Sequence, residues 1–247
     1  MNIRGLIFDI NGTLIDIHTN EAYDEIYRVI SNLLSYQGIS LSADHIRDLY
    51  YQIMKEQRLS SKENHSEFDA VGIFQEIMKR YATDFTRKLP AEKRAQLPLF
   101  LAEVYRAVSR FRLQPYPDVV EVLTELRPRY LLAALSDGQS AYAAPELQAA
   151  GLLDFFNPVI VSGDLGYRKP DVRIFENVLS GMKLKPSEVL FIGNDMYRDI
   201  FGAKQLGLKT IFFKSNQGEQ EKEGVQPDYI IYRFSELLKA VRFFENG

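Results

Sequence analysis

The stretch Leu6-Ile7-Phe8-Asp9-Ile10-Asn11-Gly12-Thr13-Leu14 decides how this chain reads. Apolar residues run into Asp9, and a glycine-bearing turn follows at once. A buried strand has little structural reason to stop on a carboxylate. An open parallel sheet has a chemical one, because its ligands bind beyond the carboxyl ends of its strands. Asp9 is therefore a candidate reactive group, with a turn cap as the plainer alternative. Two residues on, where such a site would want a second carboxylate, stands Asn11.

Outward from that run, short apolar segments recur at 5–8, 130–135, 158–161, 189–192, 209–213 and 229–232. Several lack period-2 alternation, as strands buried on both faces do. Helical patterns lie between them at 118–126, 142–150, 171–179, 199–206 and 234–244. Asp118 and Asp171 fit N-caps, and Gly207 a C-terminal stop. This alternation predicts an α/β fold, a Rossmann-like doubly wound parallel sheet. Residues 16–112 differ, with no convincing strand. They read as amphipathic helices at 21–36, 43–57, 68–81 and 97–110, with breaks at Pro90, Pro98 and 60–66. A strandless block of that length does not fit a crossover connection. The expected organisation is a core of residues 1–16 and 113–247, with an all-helical cap, 17–112, inserted after the first strand. Hinges fall near 16–19 and 111–117. The block's aromatic residues, Tyr27, Tyr50, Phe74 and Tyr105 among them, sit at helical spacing and read mostly as its own core.

Composition narrows the function. The net charge of −3 leaves no electrostatic footprint for nucleic acid or an anionic membrane. The absence of Cys excludes disulfides, thiolate metal sites and a Cys nucleophile. The 3 His form no ligand-like pair, which weighs against zinc. No long apolar leader or membrane span is visible, so a cytoplasmic location is expected. A monomer or weak homodimer is the default.

The chemistry-bearing residues fall at strand ends. They are the segment Asp9 to Thr13; Ser136, followed by Asp137 and Gly138; Lys169; and Gly193-Asn194-Asp195 through Asp199. In a parallel sheet these ends share one side and converge. Together they suit attack on phosphorus. Asp9 would be the nucleophile, and Asp9 with Asp195 could hold Mg²⁺. Lys169 would offset charge, and Ser136 with backbone N–H groups would cradle phosphoryl oxygens. The intermediate would be an aspartyl-phosphate that water then hydrolyses. Singly, Ser136 reads as a turn residue, Lys169 as a solvated loop lysine, and Asp195 and Asp199 as helix caps. The conjunction carries the argument.

Taken together, these residues resemble the haloacid dehalogenase-like hydrolases. Asp9-Ile10-Asn11-Gly12-Thr13 is similar to the family's first motif, Asp-x-Asp-Gly-Thr, and Ser136 to its second-motif Ser/Thr. Lys169 with Pro170 and Asp171 resembles the third, and residues 192–203 the fourth. The resemblance spans the chain, including a cap between the first two motifs. It implies a Mg²⁺-dependent phosphohydrolase acting on a small phosphorylated metabolite, with a cap that selects the substrate. It further implies substrate contacts from Gly12, Thr13, Ser136, Asp137 and Lys169, and cation contacts from Asp9, Asn11, Asn194, Asp195 and Asp199.

Two positions depart from the phosphatase pattern. The second Asp of the first motif, a general acid and base, is Asn11 here. Asn keeps its backbone carbonyl but cannot donate and retrieve a proton at neutral pH. The usual metal-binding Asp after the fourth-motif Gly is Asn194. Either Asp195 takes over, or Asn194 coordinates through its amide oxygen. Three readings stay open. One is a phosphatase restricted to substrates whose leaving group needs little protonation, such as acyl or aryl phosphates. Another is a non-catalytic member that binds a phosphorylated ligand or a protein. The last is a 2-haloacid dehalogenase, in which halide leaves without a proton. Dehalogenases of the family carry Tyr at the position of Asn11, need no metal, and use an Arg in a Trp-Arg context. This chain has no Trp.

Overall fold

The architecture follows from where the apolar strands can hide. In the computed structural model, which describes residues 1–246, six strands form one sheet in which every neighbouring pair is parallel. They are β1 (Gly5–Phe8), β4 (Leu131–Ser136), β5 (Val159–Val161), β6 (Val189–Gly193), β7 (Lys209–Phe213) and β8 (Tyr229–Ile231). Their order is β5-β4-β1-β6-β7-β8, so β1 lies between β4 and β6. Register puts Phe8 beside Ala134 and Ile192, which brings the carboxyl ends of these three strands level.

Alternate β1 side chains enter different cores. Leu6 and Phe8 pack with Val122, Leu147 and Phe234 on one face. Ile7 packs with Phe175, Val178 and Phe191 on the other. Full burial of each such side chain stabilises by about 1.5–3 kcal/mol. That explains why this four-residue strand carries no polar side chain before Asp9. Helices α6 (Val119–Leu126), α7 (Ser140–Ala149), α8 (Val172–Met182), α9 (Gly202–Lys204) and α10 (Leu237–Asn246) belong to the same unit.

The chain divides into two compact units. One comprises Met1–Ile17 with Leu113–Gly247, the other His18–Arg112. The second holds α1 (Asp24–Ser35), α2 (Ala43–Ser60), α3 (Ala70–Tyr81), the short α4 (Asp84–Lys88) and α5 (Ala91–Ser109). Its core is aromatic. Tyr50 stacks on Tyr105 with ring centroids 4.4 Å apart, and Phe74 and Tyr27 meet Tyr105 edge-on.

Several local expectations need correction. The region is not strandless at its borders, because β2 (Ile15–Thr19) and β3 (Arg110–Pro115) pair as a two-stranded sheet. Pro98 does not break a helix but lies buried inside α5, where packing overrides its poor propensity. Asp118 stands at the N-cap of α6, but in a left-handed conformation (φ 68°) and with no side-chain cap bond. Asp171 does cap α8, accepting from Arg173 N. Among the described residues no helix is long and apolar enough to cross a membrane.

Candidate active site

The turn after β1 sets the geometry. Asp9 N donates to Ile192 O at 2.9 Å, which ties the residue to the neighbouring strand. Gly12 N donates to Ile15 O at 2.8 Å and Leu14 N to Ile10 O at 2.8 Å. Gly12 takes φ +90°, which favours glycine, and a Cβ there would stand 2.2 Å from Asn194 Nδ2. The tight turn buries Thr13 and aims its hydroxyl back at Asp9.

Asp9 is held from both sides. Lys169 Nζ donates to Asp9 Oδ1 at 2.6 Å and to Asp199 Oδ1 at 2.7 Å, and it is 2% exposed. Burial works against the charged amine. The carboxylates of Asp199, Asp9 and Asp137 outweigh that and hold the ammonium above the usual lysine value. Thr13 Oγ1 lies 2.8 Å from Asp9 Oδ2 and 3.1 Å from Asn194 Oδ1. A hydroxyl carries one hydrogen, so only one of those oxygens receives it at a time.

Asp199 closes the other end of the lysine. Its Oδ2 accepts from the backbone N–H groups of Asn194 and Asp195, both at 3.0 Å. A Cβ on Gly193 would stand 2.5 Å from Asp199 Cβ, so glycine is required there. Burial pushes the Asp199 carboxyl up, against the pull of Lys169.

Asp195 and Asp137 face elsewhere. Asp195 caps a π-helical turn, Met196–Phe201, accepting from the N–H groups of Tyr197 at 3.1 Å and Arg198 at 2.7 Å. Its other oxygen accepts from Arg198 Nε at 2.9 Å, Arg198 Nη2 at 2.8 Å and Glu219 N at 3.1 Å. Burial disfavours its charge, yet these donors hold the carboxyl below its ordinary value. Both oxygens of Asp195 are thus engaged by protein donors. Asp137 is likewise a support. Its Oδ1 accepts from Lys169 N at 3.0 Å, and its Oδ2 has no hydrogen-bond partner, with Arg198 Nη1 at 3.8 Å. Burial raises its carboxyl. Ser136 is buried at the end of β4, its hydroxyl 3.3 Å from Asp137 O. Asn11 is half-buried, and its Oδ1 is an orphaned acceptor.

The donor set fits a hard cation such as Mg²⁺, by chemistry and by charge. Asp9 Oδ2 and Asn194 Oδ1 converge on a single hydroxyl, an excess of acceptor oxygens. Four carboxyl groups, Asp9, Asp137, Asp195 and Asp199, gather around two cations, Lys169 and Arg198, and burial pushes the Asp137 and Asp199 carboxyls up. Among the described residues no three His, Cys, Asp or Glu side chains form a metal cluster. The candidate ligands are instead one carboxylate (Asp9), one amide oxygen (Asn194) and the Asn11 backbone carbonyl, oxygens of the type Mg²⁺ takes.

In the helical unit, Arg28 pairs with Glu25, and Arg47 with Asp24 and Asp44. Sequence reasoning missed Arg198 and residues 215–220. A signal was present, because that polar loop leaves the carboxyl end of β7, on the same side of the sheet as Asp9.

Comparison with known proteins gives the family. The family model of haloacid dehalogenase-like hydrolases matches residues 3–207, and the chain belongs to that family. It is 26% identical over 226 residues to a glyceraldehyde 3-phosphate phosphatase of Methanothermobacter thermautotrophicus, with 91% of each chain covered. It is 27% identical to an (S)-2-haloacid dehalogenase of Pseudomonas sp. strain YL, covering 99% of this chain and 96% of that one. Among solved structures, a 2-haloacid dehalogenase from Pseudomonas syringae pv. tomato shares the fold, with TM-score 0.71 at 20% identity over 98% of this chain and 99% of that one.

Proposed function

We propose that this protein is a Mg²⁺-dependent phosphatase of small phosphorylated metabolites, working through an aspartyl-phosphate on Asp9. The observation that carries the reading is the Asp9 carboxylate, aimed by Thr13 and charge-paired with buried Lys169. Phosphatase-named relatives support it.

An Asp9 carboxylate oxygen attacks phosphorus while the bond to the leaving oxygen breaks, and the electron pair departs with the leaving group. Lys169 and Ser136 meet the phosphoryl oxygens. Water then attacks phosphorus, releases inorganic phosphate and restores Asp9. Held by Asp9, Asn194 and the Asn11 carbonyl, Mg²⁺ would neutralise charge on the phosphoryl group. Asn11 supplies no proton, so substrates with weakly basic leaving groups, acyl or aryl phosphates, are favoured.

The excess negative charge around Asp9 disfavours a haloacid, whose free carboxylate it would repel. Asn11 and Asn194 favour, as a second reading, a member that binds phosphorylated ligands without turnover. Hydrolysis of an aryl phosphate by wild type and Asp9→Asn, with Mg²⁺, separates these. Turnover by wild type alone supports the phosphatase. Equal rates in both proteins remove Asp9 from the chemistry, and no turnover in either leaves the binding reading.

A further inference from the structure

The loop after β7 lies outside the four motifs, yet its hydrogen bonds run to the fourth motif and to the chain on either side of the helical unit. Gln217 Nε2 is 2.9 Å from Asp16 Oδ1, 3.1 Å from Ile17 O and 3.3 Å from Tyr116 Oη. Tyr116 Oη in turn donates to Asn216 Oδ1. Gln220 Nε2 donates to Gln217 O at 2.7 Å, which stiffens the loop internally. Two further bonds sew the loop to the fourth motif. Glu219 N donates to Asp195 Oδ2 at 3.1 Å, and Met196 N donates to Glu219 O at 2.8 Å.

Between these anchors sits Gly218, at φ +81°. A Cβ there would stand 2.5 Å from Asn194 O and 2.7 Å from Asn194 Nδ2. A Cβ on Gly12 would meet the same carboxamide, at 2.2 Å from Nδ2. The flat amide of Asn194 therefore lies in a slot walled by two glycines of positive φ. Within it, Oδ1 lies beside the Thr13 hydroxyl, which also reaches Asp9. Orientation matters for an amide as it does not for a carboxylate. An Asp presents an acceptor oxygen whichever way it turns. An Asn turned over would aim N–H groups at a cation.

We propose that Gln217 and Gly218 are positioning residues for Asn194: they fix its amide oxygen as a cation ligand, so that Mg²⁺ affinity depends on this loop. The proposal rests on the Mg²⁺-phosphatase reading. Gln217 acts by pinning the loop to Asp16, Ile17 and Tyr116, and Gly218 by its close approach. Neither touches the reacting atoms. Supporting groups of this kind are typically worth about 10–100-fold in metal affinity.

The test is calorimetric titration with Mg²⁺ of wild type, Gln217→Glu, Gly218→Ala and the double variant Asp16→Asn/Gln217→Glu. Urea denaturation without Mg²⁺ verifies that each is folded. In Gln217→Glu the side chain has no N–H for Asp16 or the Ile17 carbonyl, so affinity falls by about 10–100-fold. The double variant regains most of it, because the carboxamide introduced at position 16 can donate to the carboxylate introduced at position 217. Simple loss of packing would not be repaired by that exchange. Gly218→Ala weakens binding by a similar factor; should it fail to fold, the exchange pair still decides. Wild-type affinity in Gln217→Glu overturns the proposal and leaves the phosphatase reading intact. A wild type that hydrolyses aryl phosphate yet binds no Mg²⁺ also overturns it, and removes the metal dependence from the phosphatase reading as well. A wild type that binds Mg²⁺ through this loop but hydrolyses nothing upholds the proposal and sinks the phosphatase.

Discussion

Replacing Asn11 by Asp probes the step this site is least equipped for, protonation of the leaving group. The side chain is half-buried at the turn after β1, and its Oδ1 lacks a hydrogen-bond partner. An unsatisfied buried acceptor costs about 1–3 kcal/mol, so a protonated carboxyl or a donor on the substrate finds a use there. The Asp side chain is nearly isosteric, and the turn is held by backbone hydrogen bonds, which the exchange leaves in place. What changes is proton transfer. General acid–base catalysis contributes about 10²–10⁴-fold, or roughly 3–5 kcal/mol of barrier. That gain should appear on an alkyl phosphate, whose leaving alkoxide needs a proton. On an aryl phosphate it should stay under about tenfold, because the phenolate leaves unaided. The assay is kcat/KM for one ester of each kind at saturating Mg²⁺, with Asp9→Asn/Asn11→Asp as the blank. The alkyl-to-aryl ratio is expected to rise by at least about tenfold and by up to about 10⁴. An equal rise on both esters, or none on the alkyl ester, would refute the reasoning.

Lys169→Met leaves Asp9 and Asp199 as uncompensated buried carboxylates, so it should lower stability by about 3–5 kcal/mol in urea denaturation. Part of that loss should return as pH falls from 7 toward 5, because burial raises the Asp199 carboxyl and its protonated form is the one the fold then favours. An unchanged urea midpoint would contradict this. Asp228 behaves oppositely. Burial raises its carboxyl, but Lys209, the Thr210 N–H and hydroxyl, and Lys204 pull it down to about 2. Its contribution is therefore present above the unfolded value and lost as pH falls through about 2. Asp228→Asn should cost about 1–2 kcal/mol at pH 7 and almost nothing below pH 2; a pH-independent difference would count against the linkage.

Much of the fold was legible because burial on both faces leaves strands such as Gly5–Phe8 and Val189–Gly193 wholly apolar. The pair β2 and β3 was not, because their ladder is short and half-exposed, with Arg110, Arg112 and Gln114 interrupting any apolar run. Pro98 misled because a local rule about helix interiors says nothing of the core a proline can fill. In the site, Asp9, Lys169 and Asp199 could be read from type and position. The engagement of Asp195 by its own helical turn could not. Adjacent residues leave a strand in opposite directions, and the cap of the π-helical turn takes Asp195 away. Gln217 and Gly218 carry no chemistry in their letters. Their importance comes from where a loop passes, which only the fold discloses.

The proposed chemistry turns on transfer of a phosphoryl group to Asp9. The most direct measurement is acid-quench trapping of wild type mixed with an aryl phosphate and Mg²⁺, followed by peptide mass spectrometry. One phosphoryl group is expected on the peptide containing Asp9, absent from Asp9→Asn and lost on incubation with hydroxylamine. Turnover with no phosphoryl group on that peptide, or with the group on another residue, would contradict it.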